Sequence, residues 1–255
     1  MPPNTESEMS SGAVAVLPSA EETDSELRSA EAAASEEVPA VPQKQHRISR
    51  THPSETVIVF DWDDTLLSST WLAQHGLRLD DDVAVPREFK EPLDQLGAAV
   101  KRTLEKAKQY GEVVIITNAQ AGWVERSAER FIPEVLEQVK KMRVLSARSE
   151  FEASYPNQPL AWKIEAFQRE LFATNMGSKR EGRRNVISLG DSRHERVAIH
   201  RIKSSLPNAL TKSIKFVEHP SVEQLTRQVD LVNHCMDEIV HHKSDLDLML
   251  TIQLL

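Results

Sequence analysis

Short runs of β-branched residues alternate along the chain with longer segments whose apolar positions repeat every three or four residues. The short runs predict buried strands at 57–60, 112–118, 142–147, 185–191 and 213–218. The longer periods predict helices over 92–107, 124–142, 160–175 and 222–239. Pro92 suits a first helical turn, and Pro133 should kink or restart the second helix. This alternation predicts an α/β protein with a three-layer, Rossmann-like parallel sheet that has helices on both faces.

Polar side chains close three of the predicted strands. They are, strand by strand, Asp61 and Asp63, Thr117 and Asn118, and Gly190 and Asp191. In parallel α/β sheets, ligands bind at the C-terminal ends of the strands. We therefore expect these residues to converge on one site.

The first of these strand ends carries three carboxylates within four residues, in the sequence VIVFDWDDTLL at 57–67. Like charges this close repel and raise one another's pKa, so a positive partner or a chemical role is expected. Asp61 and Asp63 should share one side of the extended backbone, with Trp62 packing on the other side. Asp64 should point away from them, as a cap or a solvated charge.

The N-terminal end differs in composition from the rest of the chain. The first 42 residues hold nine acidic residues and one basic residue, which accounts for the whole formal charge of −8. This stretch is rich in Ala, Ser, Glu and Pro and has no aromatic residue, so it cannot bury enough apolar surface to offset chain entropy. We expect a disordered acidic tail at 1–53, a folded domain at 54–244 and an apolar segment at 245–255.

The rest of the chain is balanced in charge, with 30 acidic and 30 basic residues, and has no overall bias toward nucleic acid or an acidic membrane. It has no run of 18 consecutive apolar residues, so no membrane span is expected. The single cysteine, Cys235, lies on an apolar helical stripe and fits a reducing compartment. These features predict a cytoplasmic protein that binds neither nucleic acid nor membrane.

Four short motifs follow one another in a recognisable order. DWDDT at 61–65 matches an Asp-x-Asp-x-Thr pattern, and Thr117 closes the strand VVIIT. Lys163 follows in LAWKIEAF, and GDSRHE then supplies Asp191 and Glu195. In this order and spacing the motifs resemble those of the haloacid dehalogenase superfamily of phosphotransferases. Glu195 departs from the family pattern, in which Asp is commoner at that position.

The resemblance implies a phosphatase that hydrolyses phosphate monoesters through a covalent aspartyl-phosphate. Asp61 would be the nucleophile, and Asp63 would protonate the leaving oxygen and then deprotonate the attacking water. The Thr117 hydroxyl and the amide of Asn118 would donate to phosphoryl oxygens. Lys163 would balance charge in the phosphate site and orient the nucleophile.

The resemblance also implies a bound Mg²⁺. Asp61 and Asp191 would repel each other beside a phosphate dianion, and a hard cation with oxygen ligands removes that repulsion. The family pattern implies that Asp61, the main-chain carbonyl of Asp63 and Asp191 hold this ion, with Glu195 reaching it through water.

Asp63 also bears on the type of reaction. Members of the superfamily that dehalogenate or pump ions lack an acid two residues after the nucleophile, so a hydrolase is expected first and a phosphomutase second. A non-catalytic, phosphate-dependent scaffold is a further alternative. Such a scaffold needs neither an acid nor a base, so the presence of Asp61, Asp63, Lys163 and Asp191 argues against it.

The intervals that carry cap domains in this superfamily are short here. About 25 residues separate the first motif from the predicted helix at 92, and 45 lie between the second and third motifs. Only a minimal cap is therefore expected, in which residues 69–89 form a small lid. Trp71 and Leu72 would either cover the site or pack in the core. An open site favours a large phosphorylated substrate such as a phosphoprotein.

The C-terminal segment 245–255, DLDLMLTIQLL, has apolar residues at alternate positions from Leu246 to Leu254. This alternation suggests an added edge strand or a docking segment for a protein partner. A frayed helix end that packs on its own domain is equally compatible with it.

Overall fold

The computed structural model describes residues 56–80, 84–173, 184–206 and 208–251. The predicted tail at 1–53 and the last four residues of the predicted C-terminal segment lie outside the described residues. The strands are β1 (Thr56–Phe60), β2 (Glu112–Thr117), β3 (Arg143–Ser146), β4 (Arg184–Gly190), β5 (Ala209–Lys215) and β6 (Leu246–Met249). The α-helices are α1 (Ser69–Gln74), α2 (Arg87–Tyr110), α3 (Trp123–Phe131), α4 (Leu136–Val139), α5 (Ala147–Phe151), α6 (Pro159–Ala173), α7 (Arg193–Ile202) and α8 (Val222–His241).

All strand pairs of the described sheet are parallel, and the strand order is β3-β2-β1-β4-β5-β6. The predicted Rossmann-like parallel sheet is confirmed. The chain builds outward from β1 through β2 to β3 and then crosses to β4, on the other side of β1. The strand order therefore reverses between β1 and β4, and the crevice at their C-terminal ends is where such sheets bind ligands.

Helices cover both faces of the sheet, because side chains alternate along each buried strand. In β1, Ile58 and Phe60 pack on the face covered by α2, α3 and α8, whereas Val57 and Val59 pack against α6 and α7. All five residues of β1 are buried. Residue 61 therefore continues toward the α6 and α7 side, and residue 62 toward α2 and α3. No helix in the described part of the chain is long and apolar enough to cross a membrane.

Two helical predictions need correction. Helix α7 was not predicted, and it lies between the fourth and fifth strands. Helix α2 begins at Arg87, so Pro92 lies inside the helix and not in its first turn. Because proline has no amide hydrogen, Pro92 makes no hydrogen bond to the carbonyl of residue 88. Residue 88 lies in the first turn and is exposed, so water can bind that carbonyl instead. The predicted break at Pro133 is confirmed, because a 3₁₀ turn at Pro133–Val135 separates α3 from α4.

The fifth strand begins four residues earlier than predicted, at Ala209, and ends at Lys215. Its early part contains Lys212, whose side chain is fully buried. The Lys212 ammonium group donates to the carbonyls of Ile239 and Val240, each at 2.7 Å, near the end of α8. The lysine thus satisfies the carbonyls at a helix C-terminus, which explains how a charged residue lies within a buried strand.

The C-terminal segment supplies the edge strand that was one of its predicted alternatives. β6 pairs in parallel with β5, with Leu246 opposite Lys212. Arg196 of α7 makes a two-pronged ion pair with Asp247, with contacts of 2.6 to 3.2 Å. This strand therefore belongs to the same sheet as the rest of the domain and is not a separate segment.

The first part of the predicted lid is the short helix α1, and residues 81–83 of the lid lie outside the described residues. Leu72 of α1 is buried in the core. Trp71 stacks on His75 with ring centroids 4.0 Å apart and meets Phe89 of α2 edge to face at 5.2 Å. Leu72 therefore takes the core alternative, and Trp71 packs against α2.

Candidate active site

The end of β1 positions two of the candidate acids and their neighbour Trp62. The Asp61 amide donates to the carbonyl of Leu189 at 2.9 Å, so the pairing with β4 continues one residue beyond the strand. Trp62 is fully buried, and its indole N–H donates to the Ser127 hydroxyl of α3 at 2.9 Å. This anchor holds the backbone between Asp61 and Asp63 and leaves the two carboxylates on the opposite side.

Asp64 plays a structural part at the start of α1. Its φ angle is +52°, in the left-handed region that aspartate tolerates better than most residues. Its carboxylate accepts from the Thr70 amide in the first turn of α1 at 2.9 Å, although the N-cap residue is Ser68. Asp64 thus caps α1 from outside the N-cap position, and it is buried and not solvated.

Lys163 reaches the site from α6, where it is the fifth residue, and its side chain is buried. Its ammonium group donates to Asp61 Oδ1 at 2.9 Å and to the carbonyl of Ile116 in β2 at 2.8 Å. It also lies 2.8 Å from Glu195 Oε1. One buried cation thus links β1, β2 and α7.

Glu195 is fixed by the start of α7. Its Oε2 accepts from the Ser192 amide at 3.2 Å and from the Ser192 hydroxyl at 2.5 Å, which completes a capping box. A Cβ atom on Gly190 would lie 2.4 Å from the Glu195 side chain, so only glycine permits this close approach. The Asp191 amide donates to the Thr65 hydroxyl at 3.0 Å, which ties the fourth motif to the first.

Three carboxylates meet at the ends of β1 and β4. One carboxylate oxygen from each of Asp61, Asp191 and Glu195 lies within 4.8 Å of the other two. Burial raises the pKa of Asp61 to about 7, with Lys163 opposing this rise and Glu195 and Asp63 adding to it. Burial, together with repulsion from Asp61 and Glu195, raises the pKa of Asp191 to about 8. The single lysine therefore does not neutralise the cluster.

The buried ion pairs set the charge of the other two groups. Burial disfavours the charged form of Glu195, but the neighbouring Lys163 holds its pKa below the ordinary value. Burial likewise opposes the charged form of Lys163, but Asp61 and Glu195 raise its pKa. Lys163 and Glu195 are thus held as an ion pair, and the cost of a further negative charge in the cluster appears as the raised pKa values of Asp61 and Asp191.

The donor set fits a hard divalent cation such as Mg²⁺. All three groups are carboxylates, the ligand type that Mg²⁺ prefers, and they are close enough to share one ion. A cation here would also remove the repulsion that raises the pKa of Asp191. Asp61, Asp191 and Glu195 are therefore the residues that could hold it.

Asp63 lies beside this cluster, half-buried and held by two donors. Its Oδ2 accepts from the Thr117 hydroxyl at 3.0 Å, and its Oδ1 accepts from the indole N–H of Trp123 at 2.9 Å. The Thr117 hydroxyl accepts in turn from the Ala119 amide at 2.9 Å. Burial raises the pKa of Asp63, although hydrogen bonds from Ser69, Trp123 and Thr117 act in the opposite direction.

Most of the predicted site residues converge, and one has its side chain elsewhere. The residues brought together are Asp61, Asp63, Thr117, Lys163, Asp191 and Glu195. The Asn118 side-chain amide donates to the carbonyl of Pro159 at 3.3 Å and thereby joins the end of β2 to the start of α6. Sequence reasoning missed Trp123 as a partner of Asp63, and it gave Thr65 no role beyond the motif pattern.

A cavity of about 500 Å³ opens beside Asp63. Its lining residues are Asp63, Ala119, Gln120, Ala121, Trp123, Arg126 and Arg148. The loop after β2, the start of α3 and helix α5 form its walls.

Comparisons of the chain with models of known protein families, with curated proteins and with solved structures give no match.

Proposed function

We propose that the protein is a Mg²⁺-dependent phosphatase that hydrolyses phosphate monoesters through an aspartyl-phosphate on Asp61. The observation that carries this proposal is the buried pair of Asp61 and Lys163, 2.9 Å apart, within one cluster with Asp191 and Glu195. A second acid, Asp63, lies beside the pair. The resemblance of the four motifs to the haloacid dehalogenase superfamily supports the same reading.

In the first step, a carboxylate oxygen of Asp61 attacks the phosphorus atom, and the bond from phosphorus to the ester oxygen breaks. Asp63 gives its proton to the departing oxygen, a role that suits a carboxyl group whose pKa is raised by burial. The hydrogen bond from Lys163 to Asp61 Oδ1 orients the nucleophile. Trp123 and Thr117 hold Asp63 in place for the transfer.

In the second step, Asp63 is ionised and takes a proton from a water molecule. The water oxygen attacks the phosphorus atom, and the bond to Asp61 breaks, which releases inorganic phosphate and restores the carboxylate. The amide after Thr117 would donate to the phosphoryl oxygens, while the Thr117 hydroxyl uses its one proton to hold Asp63. Bound Mg²⁺, held by Asp61, Asp191 and Glu195 and by the Asp63 carbonyl that the resemblance implies, would neutralise charge on the phosphoryl group.

The test is hydrolysis of p-nitrophenyl phosphate by the purified full-length protein, with MgCl₂ or with EDTA. We expect turnover only with Mg²⁺, and we expect Asp61→Asn and Asp191→Asn to reduce it to background. Uncatalysed phosphate monoesters hydrolyse so slowly that no residual rate should be visible. Asp94→Asn, on α2 and outside the cluster, is the matched control and should retain activity.

The outcomes separate this proposal from its alternatives. Full activity in Asp61→Asn would show that Asp61 is not the nucleophile. A folded protein that hydrolyses no member of a phosphate monoester panel, yet binds phosphopeptides, would favour the non-catalytic scaffold.

A further inference from the structure

The cavity beside Asp63 carries two arginine side chains that the proposed reaction does not use. Arg126 comes from α3 and Arg148 from α5, and both line the cavity with Asp63. We infer that the substrate is a small phosphate ester whose leaving group carries a second anionic group, a carboxylate or a phosphate, bound by these two arginines. This inference rests on the proposed function.

The leaving group must lie on the side of Asp63. Asp63 gives its proton to the departing oxygen, so that oxygen and the group attached to it lie next to the Asp63 carboxylate. The cavity that Asp63 lines is therefore the space the leaving group enters. Its volume of about 500 Å³ falls within the range of about 300 to 1,000 Å³ that is usual for small-molecule sites.

The wall of this cavity is held in place before any ligand binds. The Ser146 hydroxyl donates to the carbonyl of Ala119 at 2.6 Å, and the Ala121 amide donates to the Ser149 hydroxyl at 2.9 Å. Ser146 also caps α5 through the Ser149 amide at 3.0 Å. These bonds join the loop after β2 to the helix that carries Arg148, so the arginine has a fixed base.

Both guanidinium groups retain donors for a ligand. Arg148 uses its Nε for Glu152 at 3.0 Å and lies over the ring of Trp162, 5.8 Å from its centroid. Arg126 uses one Nη for Asp80 at 2.9 Å, in an exposed ion pair of the kind that contributes little. The other N–H groups of both arginines have no hydrogen-bond partner among the described residues, and each side chain is partly exposed.

The charge of the cavity selects an anion. Among the described residues that line it, Asp63 is the only acid, because Asp80 and Glu152, which pair with the two arginines, lie outside the lining. The planar guanidinium fork matches the oxygens of a carboxylate or a phosphate and can bind either with two hydrogen bonds. A neutral leaving group would leave the remaining guanidinium donors of both arginines to water and would gain no ion pair from them.

Three esters of the same shape test this inference. In 4-carboxyphenyl phosphate and 4-phosphonophenyl phosphate the leaving group carries an anion, whereas 4-carbamoylphenyl phosphate is the neutral match of the carboxylate. Phosphate release by the full-length protein with Mg²⁺ gives kcat/KM for each. We expect at least one anionic ester to exceed the neutral one by about 10-fold, the effect typical of a partly exposed charge-assisted hydrogen bond. The anionic ester with the higher kcat/KM shows whether the arginines bind a carboxylate or a phosphate on the leaving group.

Arg148→Gln and Arg126→Gln test the assignment to these side chains. In each variant, kcat/KM for the anionic ester should exceed that for the neutral ester by no more than about twofold. Arg169→Gln is the matched control, because Arg169 also pairs with an acid, Glu150 at 2.8 Å, and lies 5.5 Å from the centroid of an aromatic ring. Arg169 does not line the cavity, so its variant should keep the wild-type preference.

The possible failures are distinguishable. If the protein hydrolyses all three esters with equal kcat/KM, this inference is refuted and the phosphatase proposal stands. If a preference persists in the double variant of Arg126 and Arg148, the arginine site is refuted. If p-nitrophenyl phosphate is hydrolysed and none of the three esters is, this inference is refuted. If p-nitrophenyl phosphate is not hydrolysed either, the phosphatase proposal is refuted and the inference falls with it.

Discussion

Replacing Asp191 with asparagine should stabilise the metal-free protein while removing its response to Mg²⁺. The Asp191 side chain is buried within reach of Asp61 and Glu195, and repulsion from both adds to the effect of burial on its pKa. Its backbone amide, and not its carboxylate, makes the hydrogen bond to Thr65. Asparagine would keep the shape and that bond and would remove only the ability of the side chain to ionise.

The size of the effect follows from the pKa of Asp191. Burial and its acidic neighbours raise this pKa from 3.8 to about 8. At pH 7 the unfolded chain gains from ionising the carboxyl group and the folded chain does not. The difference between pH 7 and the unfolded pKa of 3.8, at about 1.4 kcal/mol per pH unit, limits this loss of folding stability to about 4 kcal/mol. Because a buried amide also has a desolvation cost, we expect the free energy of unfolding of Asp191→Asn to exceed that of the wild type by about 2 kcal/mol.

The assay is thermal unfolding of the full-length protein at pH 7, in EDTA and in saturating MgCl₂. A gain of about 2 kcal/mol corresponds to a Tm increase of about 4 to 8 °C for a domain of this size. Mg²⁺ at about 100 times its Kd should stabilise the wild type by about 2.7 kcal/mol. Asp191→Asn should show little of this gain. Asp94→Asn should change neither the Tm in EDTA nor the response to Mg²⁺.

Two results would refute this reasoning. A lower Tm of Asp191→Asn in EDTA would show that the carboxylate stabilises the metal-free fold and is not repelled in it. An unchanged Mg²⁺ response would show that Asp191 does not hold the ion.

Two further predictions follow from the same cluster. In EDTA, the free energy of unfolding should fall as the pH rises from about 4 to about 8. The reason is that both groups ionise earlier in the unfolded chain than in the folded one, where Asp61 and Asp191 have pKa values of about 7 and 8. Denaturant titrations across this pH range check the prediction, and a rise in the free energy of unfolding would contradict it. Gly190→Ala should cost about 1 to 3 kcal/mol, because its Cβ would lie 2.4 Å from Glu195 and force that carboxylate away from Lys163. An unchanged Tm of that variant would show that the contact is not close.

The sheet and the convergence of the strand ends could be predicted because both follow from local patterns. Strands buried on both faces appear as continuous apolar runs, and parallel strands bring their C-terminal ends to one edge. The alternation of side chains placed Asp61 and Trp62 on opposite sides of β1, as the structure shows. These inferences needed no knowledge of distant contacts.

Helix α7 was missed although the sequence carries a signal for it. The helix is rich in charged residues, and only three apolar residues, Ala198, Ile199 and Ile202, form its buried side, so its apolar stripe is short. Its start, however, reads Ser192-x-x-Glu195, which is the pattern of a capping box. The family resemblance gives Glu195 only a role as a metal ligand. Glu195 in fact serves both purposes, as a cap and as a partner of Lys163.

Other features depend on contacts that no local pattern carries. Trp123 binds Asp63 from 60 residues away, through the shape of the loop after β2. Lys212 lies in a buried strand because it caps a helix that follows later in the chain. The arginine of α5 reaches the cavity because hydrogen bonds fix that helix to the same loop.

The covalent intermediate on Asp61 is tested most directly with the Asp63→Asn variant and p-nitrophenyl phosphate. Nitrophenolate leaves without much help from an acid, whereas releasing phosphate requires a base to deprotonate water. We expect one rapid burst of nitrophenolate per active site, almost no turnover afterwards, and phosphate on the peptide carrying Asp61 by mass spectrometry. Asp94→Asn, on α2 and outside the cluster, is the control and should turn over normally. A folded Asp63→Asn protein that binds Mg²⁺ but gives neither a burst nor a phosphorylated Asp61 would contradict the mechanism.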